Sequence, residues 1–349
     1  MSDFENQVSV SINGKRFSKW SEIRISSAID NLSTVEISGP FDPKDQQQRN
    51  SLKPFAFNPM SVSVNDEVLF TGTIRPIVPR LEPAKNIITV GAYSLPGVLG
   101  DCTMPITSLP LEFKKRNLHE IAGALLKPFD LNYKADSEPG PVFDKIAINP
   151  ESKVLEFLAE RAKERSQVIS NTPDGRLLFR QAITSGKPVV ELKQGLSPLT
   201  NVDAEFNFSN YYSEITGIQP VRVRAKKTNN YTKKNSLLAD AVRPYVYNVP
   251  NSKDANLEAS VSFKLGTMFA NMVTYEVEVA TWRDPKGKLW EPNAIVRLEA
   301  PGVMIYKPFD FVIRTVTLAK NANSETAQLG IVLPNSFTNE IPGGFPWDE

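Results

Sequence analysis

Apolar residues in most of this chain recur at every second position, in short runs divided by turn residues. The segment Val273-Thr274-Tyr275-Glu276-Val277-Glu278-Val279 alternates without a fault. A period of two sends successive side chains to opposite faces, so these runs suit half-buried strands and not amphipathic helices. The 27 prolines are scattered between the runs, as expected where turns and sheet edges interrupt strands. With 349 residues there is room for two or three domains, each with its own core.

The first block, residues 1–101, reads as a small β-barrel or sandwich domain. Val8, Val10 and Ile12 alternate up to Asn13-Gly14, a two-residue hairpin turn. Phe17, Ile23, Ile25, Ile29 and Val35-Glu36-Ile37 continue the pattern, Asp42 to Pro59 reads as a loop, and Val62, Val64, the turn Asn65-Asp66, Phe70, Ile74 and Ile88-Thr89-Val90 complete it. The middle block, 102–195, changes period and reads as a compact α+β domain. Asn117 is expected to cap a helix bearing Leu118, Ile121 and Leu125, and Ser152 a second bearing Leu155, Leu158 and Ala162. A hairpin around Pro173-Asp174-Gly175 follows.

The third block, 196–337, returns to strands and is read as a second β-barrel domain. It carries an insertion at about 226–272, in which Asp254 is expected to cap a helix bearing Leu257, Val261, Leu265 and Met268. The tail, 338–349, holds two Pro and two Gly from Ile341 onward and is expected to order poorly alone. The meander Val62-Ser63-Val64, Phe70 to Ile74, Ile88-Thr89-Val90 resembles Val296-Arg297-Leu298, Phe311 to Val316, Leu329-Gly330-Ile331. This pattern fits a duplication, and it equally fits two unrelated meanders.

The rare residues exclude much chemistry. Cys102 is the one cysteine and His119 the one histidine, so no intrachain disulfide and no cysteine zinc site can form. A Ser-His-Asp or Cys-His site would have to use His119, which lies inside a helix without a nucleophile elbow. Glu276 and Glu278 share a strand face and could in principle act as a carboxylate pair, but their alternation with Val273, Tyr275, Val277 and Val279 reads as a solvated face. No phosphate-binding glycine motif occurs. No catalytic, cofactor or metal site is expected, and the chain is read as not an enzyme. Lys plus Arg is 40 against 39 Asp plus Glu, which argues against a dedicated nucleic-acid binder. One basic run stands out: Arg222, Arg224, Lys226, Lys227, Lys233 and Lys234, with Tyr231 inside it. It reads as a solvated strand edge and loop, or as a weak phosphate or inter-subunit contact. The polar start Met1 to Gln7 and the lack of a long apolar run predict folding in a reducing cytoplasm, with no membrane in the folded subunit.

The order of segments, from about Val8 to Phe337, resembles the baseplate hub proteins of Mu-like contractile phage tails. The opening Val8-Ser9-Val10 to Trp20 hairpin, Phe70-Thr71-Gly72 and Asn117-Leu118-His119-Glu120-Ile121-Ala122 carry part of the likeness. Its most specific stretch runs from Trp282 to Asn293: a Trp, then Gly287, Leu289-Trp290 and Pro292-Asn293. The resemblance implies a homotrimer in which two β-barrel domains per chain form a ring, joining a sixfold tail tube to a threefold spike, as in the spike proteins of type VI secretion. It implies the central spike, the tail tube or its initiator, and baseplate wedge proteins as partners, DNA only in transit, and a place in the virion tail baseplate. Trp282, Gly287, Trp290, Pro292 and Asn293 are then a structural motif. Two other classes remain open: a tail-associated cell-wall hydrolase, and a glycan- or receptor-binding β protein using Trp282, Trp290 and Tyr306 as a platform.

Overall fold

The computed structural model describes residues 6–83, 85–108, 111–219, 229–238, 240–249 and 257–348. The first block forms β1 (Val8–Ile12), β2 (Lys15–Arg16), β3 (Glu22–Ala28), β4 (Thr34–Pro40), helix α1 (Gln46–Ser51), β5 (Pro59–Val64), β6 (Glu67–Glu82) and β7 (Lys85–Ser94). Asn13, Gly14, Asn65 and Asp66 all have positive φ. Two such residues in succession twist a hairpin turn with its strands. The expected loop from Asp42 to Pro59 contains α1. The Asp45 carboxylate accepts from the Gln47 and Gln48 backbone N–H groups, a cap that nucleates the glutamine-rich turn.

The middle block holds α2 (Val98–Asp101), β8 (Glu112–Arg116), α3 (Leu118–Leu126), β9 (Tyr133–Ala135), β10 (Phe143–Ala147), α4 (Val154–Lys163), β11 (Val168–Asn171) and β12 (Leu177–Arg180). Asn117 and Glu120 cap α3 reciprocally, each side chain accepting the other's backbone N–H at 2.9 Å. Ser152 does not cap α4. Its own N–H is held by Asn149 O at 2.9 Å in a preceding turn, which leaves Lys153 at the cap position without a side-chain bond. The inner faces of α3 and α4 close a core of their own with Phe143 and Phe179.

The third block forms β13 (Val190–Lys193), β14 (Leu199–Phe206), β15 (Glu214–Gln219), β16 (Asn229–Lys234), β17 (Pro244–Asn248), α5 (Leu257–Met272), β18 (Val273–Val279), β19 (Ile295–Ala300), β20 (Ile305–Asn321) and β21 (Glu325–Val332). β13, placed in the middle domain from sequence, pairs in parallel with β19. The departure from the main sheet begins after Phe206, earlier than 226, because β15 pairs with β16 and β17 in a separate three-stranded sheet. The expected Asp254 cap lies outside the described residues. The tail is not loose. Phe345 and Trp347 stack at 4.6 Å and pack on the core, and a Cβ on Gly266 of α5 would come within 2.2 Å of Thr338 O.

The two strand blocks do not form separate closed barrels. The described strands β1–β7, β13, β14 and β18–β21 make one thirteen-stranded sheet. The reason lies in β20, which is 17 residues long. Its first half pairs with β19 and its second half with β3, so the sheet continues instead of closing. Within it the order β3-β4-β7-β6-β5-β1 is repeated as β14-β18-β21-β20-β19-β13. The outermost pair differs, antiparallel in the first set and parallel in the second.

Residues repeat as well. Thr34-Val35-Glu36-Ile37 on β4 answers Thr274-Tyr275-Glu276-Val277 on β18, and Ile74-Arg75 on β6 answers Ile313-Arg314 on β20. Glu36 faces Gly91 and Glu276 faces Gly330. Beside each glycine the long strand slips register, between Ile74 and Ile77 and between Ile313 and Thr315. A Cβ on Gly91 would lie 2.9 Å from Arg75 O, and one on Gly330 2.2 Å from Thr315 Oγ1. The irregularity itself therefore selects glycine at both places.

Candidate assembly surfaces

The Trp282–Asn293 segment joins β18 to β19. Trp282 is fully buried, and its indole N–H donates to Thr326 O at 2.8 Å and Ala319 O at 3.2 Å. It thereby clasps the hairpin between β20 and β21. Trp290 is also buried, and its N–H donates to Thr281 O at 2.8 Å. Between them Asp284 Oδ1 accepts from Lys286 N and Lys288 N, and Gly287 takes φ +80°, a turn that a β-carbon would strain. Arg283 donates to Gly287 O and to Asn6 Oδ1. Asn293, with φ +69°, accepts from Ile183 N at 2.9 Å, which ties the link after the middle domain to the sheet; Pro292 precedes it at the entry to β19.

Two buried indoles cannot form a sugar platform, and Tyr306 alone is exposed of the three aromatics considered for one. Stacked aromatics occur elsewhere, where Tyr212, Tyr245 and Tyr247 form a ladder with ring separations of 4.7 and 5.9 Å. Burial pushes the Tyr247 hydroxyl up to about 12. No local pattern marks this ladder, since Tyr212 comes from a link and the other two from β17.

Of the basic run, Arg222, Arg224, Lys226 and Lys227 lie outside the described residues. Lys233 is partly buried and donates to Ser262 Oγ and Asn339 O, at 3.1 and 2.6 Å. It fastens α5 and the tail to β16, while Lys234 is exposed. Glu276 and Glu278 stand across from Asp203 and Asn201 on β14. Burial raises the Glu276 carboxyl while Arg314 pulls it down, and Glu278 accepts from Thr200 Oγ1. Among the described residues no group of His, Cys, Asp and Glu could hold a metal ion, and no helix is long and apolar enough to cross a membrane.

His119 sits between the rings of Tyr133 and Phe179, at 5.7 and 5.6 Å. Burial lowers its pKa, so the unfolded chain takes up a proton there before the folded one does. Its contribution to stability is present above the unfolded value, about 6.5, and is lost as pH falls toward the depressed folded value. The wild type is expected to lose more melting temperature between pH 7 and pH 5 than a His119→Gln variant. Equal losses in paired thermal scans would remove this assignment.

Several strand edges stay open among the described strands, β2 and β13 of the main sheet among them, and two bear on the repeat. β14 pairs on one side alone, with β18. Residues Ile77 to Glu82 of β6 pair with β7, while β5 stops at Thr73. Phe55, Phe57, Val78, Leu81 and Phe208 are exposed near or on these edges.

The comparisons with known proteins agree with this architecture. Residues 96–181 match the family model described as baseplate hub protein gp44-like, second domain. The chain is 22% identical over 331 residues to the baseplate hub protein gp44 of Escherichia phage Mu, covering 90% of this chain and 84% of that protein. The 43 kDa tail protein of prophage MuSo2 from Shewanella oneidensis superposes with a TM-score of 0.81 at 20% identity, over 95% of this chain and 99% of that one. The E. coli c3393 protein is a type VI secretion component with structural similarity to the T4 tail proteins gp27 and gp5. It gives a TM-score of 0.57 at 8% identity, over 97% of this chain and 78% of that one. Overall fold and middle domain thus point the same way: the chain is similar to the baseplate hub protein gp44 of phage Mu and shares the fold of the MuSo2 tail protein.

Proposed function

We propose that this chain is the non-enzymatic hub of a contractile-tail baseplate: a homotrimeric ring that adapts a sixfold tail tube to a threefold central spike and leaves a channel for DNA. The repeated six-strand unit carries this reading. A threefold spike cannot make equivalent contacts with a sixfold tube. Three chains with two similar units each present six similar surfaces to the tube and three to the spike. Spike, tube or tube initiator, and wedge proteins are the partners that this geometry serves, and the virion baseplate, assembled in the host cytoplasm, is the place. The formal net charge of +1 suits a channel that passes DNA without holding it, because each retained phosphate contact would slow ejection.

Native mass spectrometry of the purified chain tests the reading. The expected species has three times the 38.8 kDa chain mass. A chain that stays monomeric at tens of micromolar, or forms a stable dimer, contradicts it.

A further inference from the structure

We propose that the free edge of β6 pairs antiparallel with the free edge of β14 in a second copy, with Phe208 of that copy filling a cavity at the β6 irregularity. This rests on the trimeric reading and specifies its contact. A joint inside the chain sets the pattern. The second half of β20 pairs with β3, Leu318 facing Ile25 and Ala319 facing Arg24. β20 belongs to the second strand set and β3 to the first. In the repeat, β6 corresponds to β20 and β14 to β3. The same joint built once more therefore needs β6 and β14, and each of them has an open edge. Within one chain these belong to sets already joined at β20 and β3, so a second copy supplies the partner.

The repeat also sets the register. Counting from the paired Glu–Gly positions, Arg24 corresponds to Asp203 and Ala319 to Arg80. Arg80 then faces Asp203, Ile77 faces Phe206, Pro79 faces Ala204 and Leu81 faces Val202. Charge and polarity both match in this register. Among the described residues neither Arg80 nor Asp203 makes an ion pair, and Asp203 lies across from another acid, Glu276. In the first set that place is held by Arg24 across from Glu36. Arg80 of a neighbour restores the missing cation. Leu81 is 88% exposed, and its partner position, Val202, packs on the core from an open edge.

The end of the joint agrees. Ile29, just past β3, is fully buried and its N–H donates to Arg314 O at 2.9 Å. The corresponding residues are Phe208, 71% exposed, and Arg75. Beside Arg75 lies a cavity of about 540 Å³ lined by Phe55, Phe57, Ile74, Pro76 and Ile77. Its lining is mainly apolar, with Lys53, Asn58, Arg75 and Asp101 in the polar part, and it is large enough for a phenyl ring. Pro76 and Pro79 remove two donors from the edge, which discourages pairing with strands that lack the matching side chains.

Disulfide trapping tests the register. In a Cys102→Ser background, Arg80→Cys with Asp203→Cys brings two cysteines directly opposite across copies, within bridging reach. Mild oxidation is expected to give covalent dimers and trimers on a non-reducing gel, at least tenfold more than Arg80→Cys with Glu205→Cys. Phe208→Ala removes an exposed side chain, so the fold should persist, as circular dichroism would show. The concentration at which the oligomer dissociates, followed by native mass, should rise at least tenfold. A trimer by mass with no in-register cross-link, and indifferent to Phe208→Ala, overturns the pairing and leaves the trimer intact. A monomer by mass without cross-links overturns both.

Discussion

Replacing Trp282 by alanine is expected to destabilise the fold by about 3–5 kcal/mol, the usual range for deleting a buried large aromatic. The side chain has no exposed surface, so the hole left behind has nothing nearby to collapse from solvent. Its N–H also satisfies two backbone carbonyls, of Ala319 and Thr326. Those carbonyls lie on the two strands of the β20–β21 hairpin. A melting temperature lower by on the order of 10 °C should result. Trp282→Phe separates the two contributions. It keeps most of the volume and loses the donor, so a loss of about 1–3 kcal/mol is expected. A Trp282→Ala protein that melts with the wild type would show that this segment does not hold the sheet together.

The second large effect belongs to the middle domain. Arg161 and Glu164 on and just beyond α4 are 4% and 5% exposed, and Nη1 lies 2.7 Å from Oε1. Arg161→Met keeps much of the aliphatic length and removes the cation, leaving the Glu164 carboxylate buried without it. Breaking such a pair on one side is expected to weaken the domain by about 3–5 kcal/mol. Arg161→Met with Glu164→Leu removes both charges and should recover most of that loss, because a well-packed apolar pair need not be worse than a buried ion pair. Urea midpoints of the two variants check this directly. A double variant less stable than the single one would show that the pair does more than balance its own desolvation.

Much of the local structure was legible in the sequence, because period-two alternation and turn chemistry act over a few residues. Asn13-Gly14 and Asn65-Asp66 form hairpin turns as read, with positive φ at all four positions, and Asn117 caps α3. What alternation does not encode is the partner. β15 alternates like its neighbours yet pairs in a separate sheet, and β13 crosses from the expected middle domain to the second strand set of the main sheet. Alternation is also blind to a shift of two. By alternation Val62 matches Val296, whereas the structure sets Val62 against Leu298, since Val62 faces Phe70 and Leu298 faces Phe309. The mark that fixes the true register is the glutamate facing a glycine beside a slipped strand, and two of its three parts are contacts between distant residues.

The candidate surfaces were less legible for the same reason. Trp282 and Trp290 were identified as a motif, but their burial follows from strands that close over them. Lys233 and Lys234 look alike in the basic run, yet one binds Ser262 and Asn339 and the other faces solvent. The free edges of β6 and β14 are defined by the absence of a neighbour, which no local pattern records.

The central claim is that two similar units per chain build a ring with near-sixfold symmetry from three chains. A cryo-electron microscopy reconstruction of the purified oligomer, without imposed symmetry, tests it most directly. Expected is a closed threefold ring in which the set β1, β3–β7 and the set β13, β14, β18–β21 superpose after a rotation of about 60° around the ring axis. A ring in which the two sets occupy different radii or orientations, or an assembly with another number of chains, would contradict it.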